Sequence, residues 1–359
     1  MTVKAIELQL LQLEGIFSKS KANIYSDNKK EKYFEELHLL FDAIKKEDIN
    51  NFDANLLEIH YQILDYLFGA LEFLDNSTLN LIPFETVSCL EKALDDWISD
   101  NNFIIATSLS NRNLDFYFMG ENIEFYNLMN DTIEKKYNLK ISKRLIKIVL
   151  PRVLSRDYLS IVVLYHELGH FIDVELNLSQ RIFYKKYGFI HPNFYIQDQI
   201  KFLRHTMEFF ADVFAAQYIN NASNLFLNYI AGNAVDTITH PSTKSRIEIV
   251  DKFLSNEKIV LIDEFNLVLT AQSKPLIERR HKIFNADNSD FNEFIPQQIN
   301  SDEELHSIFK LGWDFWNNSE TNTLNKVPKK QRYYIINNLV EKSISNYIVV
   351  SNWNKMSTI

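Results

Sequence analysis

The segment YLSIVVLYHELGHFIDVE, residues 158–175, carries the strongest structural signal in this chain. It is almost continuously apolar, and Ser155 or Asp157 can cap a helix that runs to about Glu175. His166 and His170 are four residues apart, so they project from one face of that helix, one turn apart. Burying two histidines and a glutamate without a role costs free energy. The segment therefore predicts a functional site on a buried helix.

The spacing of the two histidines suits a single metal ion. Imidazoles one helical turn apart can reach one zinc ion at Zn–N distances of about 2.0–2.1 Å. Glu167, next to the first histidine, can then act as general base toward a water on that metal. The alternative is a pair of histidines with ordinary partners on a helix surface. The apolar residues around them favour the metal site: Leu159, Ile161, Val162, Val163, Leu164, Phe171 and Ile172.

A third ligand has to come from another segment, because a catalytic zinc ion takes three protein ligands and leaves one position open. A helix predicted at about 200–220 supplies Glu208 and, one turn later on the same face, Asp212. We predict Glu208 as the third ligand. Asp212 can accept a hydrogen bond from the free N–H of a ligating imidazole and so select its tautomer. The alternative, a solvated helix face, is disfavoured by apolar neighbours: Phe209, Phe210, Val213, Phe214 and Ala215.

These motifs resemble those of the gluzincin metallopeptidases, whose third ligand is a glutamate on a downstream helix. They are most similar to the CAAX prenyl endopeptidases and the HtpX heat-shock membrane proteases. Those families read His-Glu-x-Gly-His, Glu-x-x-Ala-Asp-x-Phe-Ala, and Ser/Thr-His-Pro with an arginine a few residues on. The chain has HELGH at 166–170, EFFADVFA at 208–215 and THPSTKSR at 239–246. ImmA-type peptidases resemble the first two blocks more loosely, usually with asparagine in place of Asp212.

The resemblance covers roughly residues 145–250, and the chain departs from those families in lacking a membrane span. It implies a zinc-dependent endopeptidase with one Zn²⁺, a protein or peptide substrate, and Glu167 as general base. It also implies that His240 or Arg246 stabilises the oxyanion of the tetrahedral intermediate. The alternatives are a capping role for His240 and a structural ion pair between Arg246 and an acid on the Glu208 helix. Three nearby residues stay unassigned: Asp173, His191 and His205.

Two other classes of function remain open from the sequence. One is a zinc-binding regulator or sensor with little or no hydrolytic activity, although such a protein has no need of Glu167. The other is a helical interaction protein in which the histidine pair is a coincidence. Metal content and peptide cleavage by the purified protein distinguish these classes from the peptidase.

The order of predicted elements indicates a mainly α protein with a small β-sheet (α+β). Helical spacing prevails up to about residue 100. Strand candidates follow at 103–109 and 114–118, as a hairpin, and at 145–150. The resemblance to the peptidases implies that the strand at 145–150 pairs with an extended peptide substrate. Helices then dominate. We expect a helical N-terminal region (1–100), a zincin-like catalytic core with its active-site helix (101–250) and a helical C-terminal region (251–359).

Composition narrows the class of protein further. Gly and Pro occur only seven times each, which favours long helices, and a net charge of −9 disfavours nucleic-acid binding. The single cysteine cannot form an internal disulfide. No segment approaches the ~18 consecutive apolar residues of a membrane span, and the N-terminus lacks a signal-peptide core. A cytoplasmic location is therefore expected.

Overall fold

The computed structural model describes residues 2–25, 28–78, 83–98, 103–110, 116–119 and 122–356. Its helices are α1 (Val3–Ser20), α2 (Asn28–Lys45), α3 (Ala54–Asn76), α4 (Phe84–Asp95), α5 (Ile123–Tyr137), α6 (Val163–Leu176), α7 (Leu178–Tyr187), α8 (Gln197–Ile219), α9 (Ala222–Ala231), α10 (Thr243–Leu254), α11 (Val260–Ala271), α12 (Asp302–Asn317) and α13 (Lys329–Met356). The strands are β1 (Phe103–Ser110), β2 (Tyr117–Met119) and β3 (Arg144–Pro151). The predicted mainly α architecture with a small sheet is confirmed. Within these ranges, no helix is both long and apolar enough to cross a membrane.

The chain forms two compact units. The first comprises Met1–Val87 and Asp100–Ser155, and the second comprises Ser88–Ser99 and Arg156–Ile359. This division differs from the expected boundaries at residues 100 and 250. The strands cluster with the N-terminal helices, and residues 251–359 share a unit with the helices that carry the histidine and glutamate motifs.

The sheet of the first unit has the strand order β1-β3-β2. β1 and β3 run parallel over their whole length, from Phe103 opposite Arg144 to Ser110 opposite Pro151. The short β2 pairs antiparallel with β3 through residues 117–119. Helices α1, α2, α3 and α5 supply the rest of this unit's core, in which Leu13, Leu67 and Ile104 are buried.

Two sequence predictions about these strands were wrong. β1 and β2 do not form a hairpin, because β3 lies between them. Nor is β3 a free edge for an extended peptide, since it pairs along its full length on one side and at residues 147–149 on the other. The physical reason is that β3 is mostly apolar. Six of its eight positions are buried, as expected for a central strand that is covered on both faces. The turn proposed at 110–113 falls mostly outside the described residues.

Helix α8 forms the centre of the second unit. Every residue from Phe210 to Ile219 is buried, which is the pattern of a helix surrounded by others. Phe210 contacts the rings of Trp97 and Phe265, with centroids 6.2 Å and 5.0 Å away. Tyr218 donates its hydroxyl to Asp96 and receives the indole N–H of Trp97 at 2.9 Å. α8 is therefore a rigid platform for the polar residues at its N-terminal side.

The segment just before α6 is held by the C-terminal helices. α6 begins at Val163, six residues later than predicted, because residues 157–162 form hydrogen-bonded turns instead. Trp313 donates its indole N–H to the carbonyl of Leu159 at 3.0 Å, and Asn337 accepts the N–H of Leu159. The Tyr333 hydroxyl donates to Asp157. Helices α12 and α13 thus position the start of the histidine helix.

Candidate metal centre

Helices α6 and α8 approach each other most closely at Gly169 and Ala211. A Cβ atom added at Gly169 would lie 2.8 Å from the Ala211 Cα and 3.2 Å from its carbonyl oxygen, which no packed structure tolerates. The absence of a side chain therefore lets the two backbones touch. This brings His166 and His170, on either side of Gly169 along α6, opposite Glu208 and its neighbours on α8.

The three predicted ligands lie together. Their candidate donor atoms are all within 4.8 Å of one another. Glu208 Oε2 is 3.4 Å from His166 Nε2, and Glu208 Oε1 is 3.4 Å from His170 Nε2. Donors at about 2.0–2.1 Å from a tetrahedral ion are about 3.3–3.4 Å apart, whereas a charge-assisted hydrogen bond is about 2.7–2.9 Å long. The two spacings involve different oxygens of Glu208, and both are longer than a direct charge-assisted hydrogen bond. The three side chains are therefore arranged so that they could hold one metal ion between them.

The electrostatics of Glu208 and His166 also fit a cation. Glu208 Oε2 is buried and has no hydrogen-bond partner among the described residues. Burial alone would raise the Glu208 pKa, but His166 and His170 hold it well below its usual range. Burial would lower the pKa of His166, yet Asp212 and Glu208 raise it to about 9. A metal binding through His166 Nε2 must therefore displace a proton at neutral pH.

Asp212 occupies the place predicted for it beside the first histidine. Its Oδ1 lies 3.0 Å from His166 Nδ1, so this carboxylate can hold the Nδ1–H tautomer and leave Nε2 facing Glu208. The Asp212 side chain is only 3% exposed. Burial would raise its pKa, but Arg246 and His166 together lower it. Asp212 stays ionised and orients the imidazole.

Arg246 forms an ion pair with Asp212 on α8, which is the structural role that the sequence left open as the alternative to oxyanion stabilisation. Its Nε donates to Asp212 Oδ2 at 2.8 Å and its Nη2 to Asp212 Oδ1 at 2.7 Å, a bidentate arrangement. Its Nη1 is 3.5 Å from Glu208 Oε2. Burial would lower the Arg246 pKa, but Asp212, Glu208 and Glu167 raise it. The Arg246 guanidinium, on the first turn of α10, thus holds the carboxylates of Asp212 and Glu208 in place. Ser242 caps the N-terminus of α10.

His240 lies at the rim of the site. Its Nε2 is 3.7 Å from Glu208 Oε1, and its side chain is 60% exposed. The predicted capping alternative does not apply to it, because the α10 cap is Ser242. A ring that faces both the ligand carboxylate and solvent is accessible to a bound substrate. Arg246, by contrast, is 12% exposed and uses its Nε and Nη2 donors on Asp212.

The loop that carries His240 is held by contacts that sequence reasoning missed. Thr239 Oγ1 lies 2.8 Å from His240 Nδ1, and the Thr237 side chain accepts the backbone N–H of His240 at 2.9 Å. His205, left unassigned above, places Nε2 2.8 Å from the Thr237 carbonyl oxygen. Asp236 accepts the N–H of Ser242 at 2.6 Å. One signal was available: His205 is three residues before Glu208 and so lies on the same side of α8.

The remaining polar residues near the motifs have different positions. Glu167 is partly buried, and its charge contributes to the raised pKa of Arg246. Asp173 is buried and accepts the N–H of Ser179 at 2.8 Å, so it stabilises the turn into α7; burial raises its pKa to about 6. His191 accepts the N–H of Asn193 in an exposed turn. Asp173 and His191 thus have local structural contacts.

A small cavity adjoins the cluster. Its volume is about 30 Å³, and it is lined by Val163, His166, Asp212, Ser223, Phe226, Leu227, Ile230 and Arg246. A cavity of about 10–15 Å³ is large enough for one water molecule, so this space has room for a small side chain. The Ser223 hydroxyl is buried and has no hydrogen-bond partner in the described part of the chain. The cavity therefore combines four apolar residues with the polar groups of the cluster and the Ser223 hydroxyl.

The close approach at Gly169 gives a direct test of the site geometry. We expect Gly169→Ala to lower the free energy of unfolding by about 1–3 kcal/mol, because the new methyl overlaps backbone atoms of Ala211. Metal affinity should fall at least tenfold as the helices move apart. Thermal unfolding and metal titration measure the two effects. Gly15→Ala is the control, because nothing lies within 4 Å of that position on α1. A Gly169→Ala protein with unchanged stability and metal affinity would contradict this packing.

Comparisons with known protein families, with curated proteins and with solved structures find no match of any kind. The interpretation of the site therefore depends on its own geometry.

Proposed function

We propose that this protein is a zinc-dependent endopeptidase with His166, His170 and Glu208 as metal ligands. The observation that carries the proposal is the spacing of the donor atoms: two imidazoles and one carboxylate, 3.4 Å apart in two of their pairs, on two helices in backbone contact. The adjacent Glu167 and the resemblance of the three motifs to gluzincins support the same activity. A zincin-like core and a cytoplasmic location remain predictions from the sequence.

Zinc is the metal that this donor set favours. Two histidine nitrogens with one carboxylate oxygen form a catalytic zinc site in metallopeptidases, with an open fourth position. Magnesium and calcium prefer all-oxygen ligands, and structural zinc sites usually contain cysteine. The only cysteine in the sequence, Cys89, is buried on α4 and is not part of the cluster. When bound, zinc would activate a water molecule and polarise the substrate carbonyl.

The protein's own groups supply the remaining chemistry. Glu167 takes a proton from the attacking water and passes it to the amine that leaves. His240 stands at the exposed rim, where its Nε2 can donate a hydrogen bond to the developing oxyanion. Asp212 and Arg246 keep His166 oriented, because the carboxylate faces Nδ1 and the guanidinium holds that carboxylate from two nitrogens. The roles of His240, Asp212 and Arg246 follow from their contacts with Glu208 and His166, and that of Glu167 from its place next to His166 in the sequence.

The cavity beside His166 supports a peptide substrate. We propose that it receives the side chain of a residue next to the cleaved bond. Its size admits a small residue, and the unpartnered Ser223 hydroxyl favours one that can hydrogen-bond, such as serine or threonine. Cleaved peptides should therefore be enriched in small residues at that position.

The test is a metal analysis combined with cleavage of a mixed peptide library. We expect close to one zinc per chain after extensive dialysis, and cleavage that stops with a chelator and returns with added zinc. Stoichiometric zinc without any cleavage would instead support the regulator or sensor. A protein that retains no metal and does not bind added zinc would refute both and leave the helical interaction protein.

A further inference from the structure

The loop between α7 and α8 exposes large apolar side chains. In residues Gly188–Ile196, here called the aromatic loop, Phe189 is 82% exposed, Phe194 is 76% exposed and Ile196 is 62% exposed. Single exposed apolar residues are ordinary on protein surfaces, but three within eight positions of one loop form a patch. The metal cluster does not use any of these residues.

Contacts with α7 hold the loop in place, and its large apolar side chains stay exposed to solvent. The Tyr195 ring packs on Phe183 at a centroid distance of 4.7 Å and its hydroxyl accepts the amide of Gln180 at 2.9 Å. Phe189 contacts the ring of Tyr184 with its centroid 5.3 Å away. A short 3-10 turn, Pro192–Phe194, forms the tip. The fold therefore holds the backbone while leaving the apolar side chains in water.

Positive charge is concentrated in the sequence on either side of this loop, although the chain as a whole is acidic. Between Glu175 and Glu208 the sequence has a single acid, Asp198, against five cations, a local net charge of +4 in a protein of −9. Lys185 pairs with Glu264 and Lys201 with Asp236, at 3.5 Å and 3.6 Å. The other three have no carboxylate within ion-pair distance among the described residues: Arg181, Lys186 and Arg204.

The cations lie on the two helices that flank the loop. Lys186 lies in the last turn of α7, and its Nζ is 3.9 Å from the centroid of the Phe202 ring. Lys201 and Arg204 lie about 6–10 Å along α8 from its first residue, at about 1.5 Å per residue. Interfacial elements insert apolar groups about 5–10 Å into the boundary between headgroups and acyl chains. Cations this close to the loop are within reach of lipid phosphates when the loop inserts to that depth.

We propose that the aromatic loop docks on the anionic surface of a lipid bilayer. Phe189, Phe194 and Ile196 enter the interface, while Arg181, Lys186 and Arg204 face the phosphates. The apolar patch and the cations contribute together, as in other peripheral membrane segments that need two signals. A lipid surface accounts for both features without requiring a shaped partner. The proposal does not depend on the metal site.

Sedimentation of the 359-residue protein with lipid vesicles tests this proposal. We expect binding to vesicles of 70% phosphatidylcholine and 30% phosphatidylserine, weakened by salt, and little binding to phosphatidylcholine alone. The double variant Phe189→Ser/Phe194→Ser should bind at least tenfold more weakly. Lys186→Glu/Arg204→Glu should lose at least as much on anionic vesicles. The control Leu11→Ser/Tyr334→Ser removes exposed apolar groups elsewhere and should bind like wild type.

Thermal unfolding and metal content identify any variant that fails to fold; since both substituted pairs are exposed, we expect wild-type values. Absence of vesicle binding by wild type overturns the proposal, as does wild-type binding by either the Phe189→Ser/Phe194→Ser or the Lys186→Glu/Arg204→Glu variant. A dimer that depends on Phe189 and Phe194, without vesicle binding, would identify the loop as a contact between copies and likewise overturn it.

Discussion

Glu167→Gln should retain zinc and lose about 10²–10⁴-fold in the rate of peptide cleavage, the contribution typical of a general base. The substitution keeps the size of the side chain and removes only its ability to accept a proton. The proposed ligands on α6 and α8 are unchanged, so metal affinity should stay within a few-fold of wild type. Single-turnover cleavage of a library-derived peptide and zinc titration measure the two quantities separately.

Glu248→Gln is a matched control, because it makes the same chemical change on α10, two residues after Arg246. Its carboxylate is exposed and pairs with Lys252, one turn later on the same helix. Its cleavage rate should equal that of wild type. If Glu167→Gln cleaved as fast as this control, Glu167 would not be the base, and the proton acceptor would have to be sought elsewhere around the cluster.

Glu208→Gln should weaken zinc binding by at least about 10²-fold. A structural zinc site with four ligands is stabilised by about 10–16 kcal/mol, so the loss of one ligand costs about 3–4 kcal/mol. Glutamine preserves the shape of the side chain but removes the charge that balances the metal and His166. Cleavage should fall in parallel at limiting zinc. Competition with a chromogenic chelator gives the affinity.

A graded comparison separates a ligand from a residue that only orients one. Asp212→Asn should weaken zinc binding by about 10–100-fold, since partners of ligating histidines contribute less than the ligands themselves. It should also destabilise the protein, because Arg246 would lose its buried carboxylate partner. An Asp212→Asn protein that binds zinc more weakly than Glu208→Gln would reverse the two assignments.

The structure favours His240 over Arg246 as the residue that stabilises the oxyanion. Arg246 is largely buried and directs two of its donors at Asp212, so its first effect is on the orientation of His166. His240 has an exposed ring beside Glu208, fixed by contacts from Thr239 and Thr237. We therefore assign the contact with substrate to His240 and the bracing of the α8 carboxylates to Arg246.

The C-terminal region also acquires a structural role. Trp313, Tyr333 and Asn337 bond to residues 157–159, immediately before the histidine helix. The Tyr165 hydroxyl, next to His166, lies 2.7 Å from His306 Nδ1 on α12. Residues 251–359 are therefore part of the support for the site, as well as a separate stretch of helices in the sequence.

Local sequence was sufficient for the helices and for much of the candidate site. The apolar run at 158–175 and the stretch rich in Phe, Ala and Met at about 200–220 identified the segments that became α6 and α8, because such composition is a property of neighbouring positions. The helical repeat placed His166 with His170 and Glu208 with Asp212. The predicted hairpin was wrong because the sheet is mixed. A polar turn between two strand candidates favours a hairpin locally, but the observed pairing depends on a third strand, β3, which begins 25 residues after β2 ends.

The sequence by itself determined which residues lie one turn apart on each helix, because residues four positions apart share one helix face. Folding decided the distances between the helices. Gly169 against Ala211 sets how near the imidazoles come to Glu208, and the loop held by His205 and Asp236 places His240 at the rim. The contacts of Gly169 with Ala211, of His205 with Thr237 and of His240 with Glu208 join residues 32 to 42 positions apart. Their geometry depends on packing throughout the second unit, which no local pattern encodes.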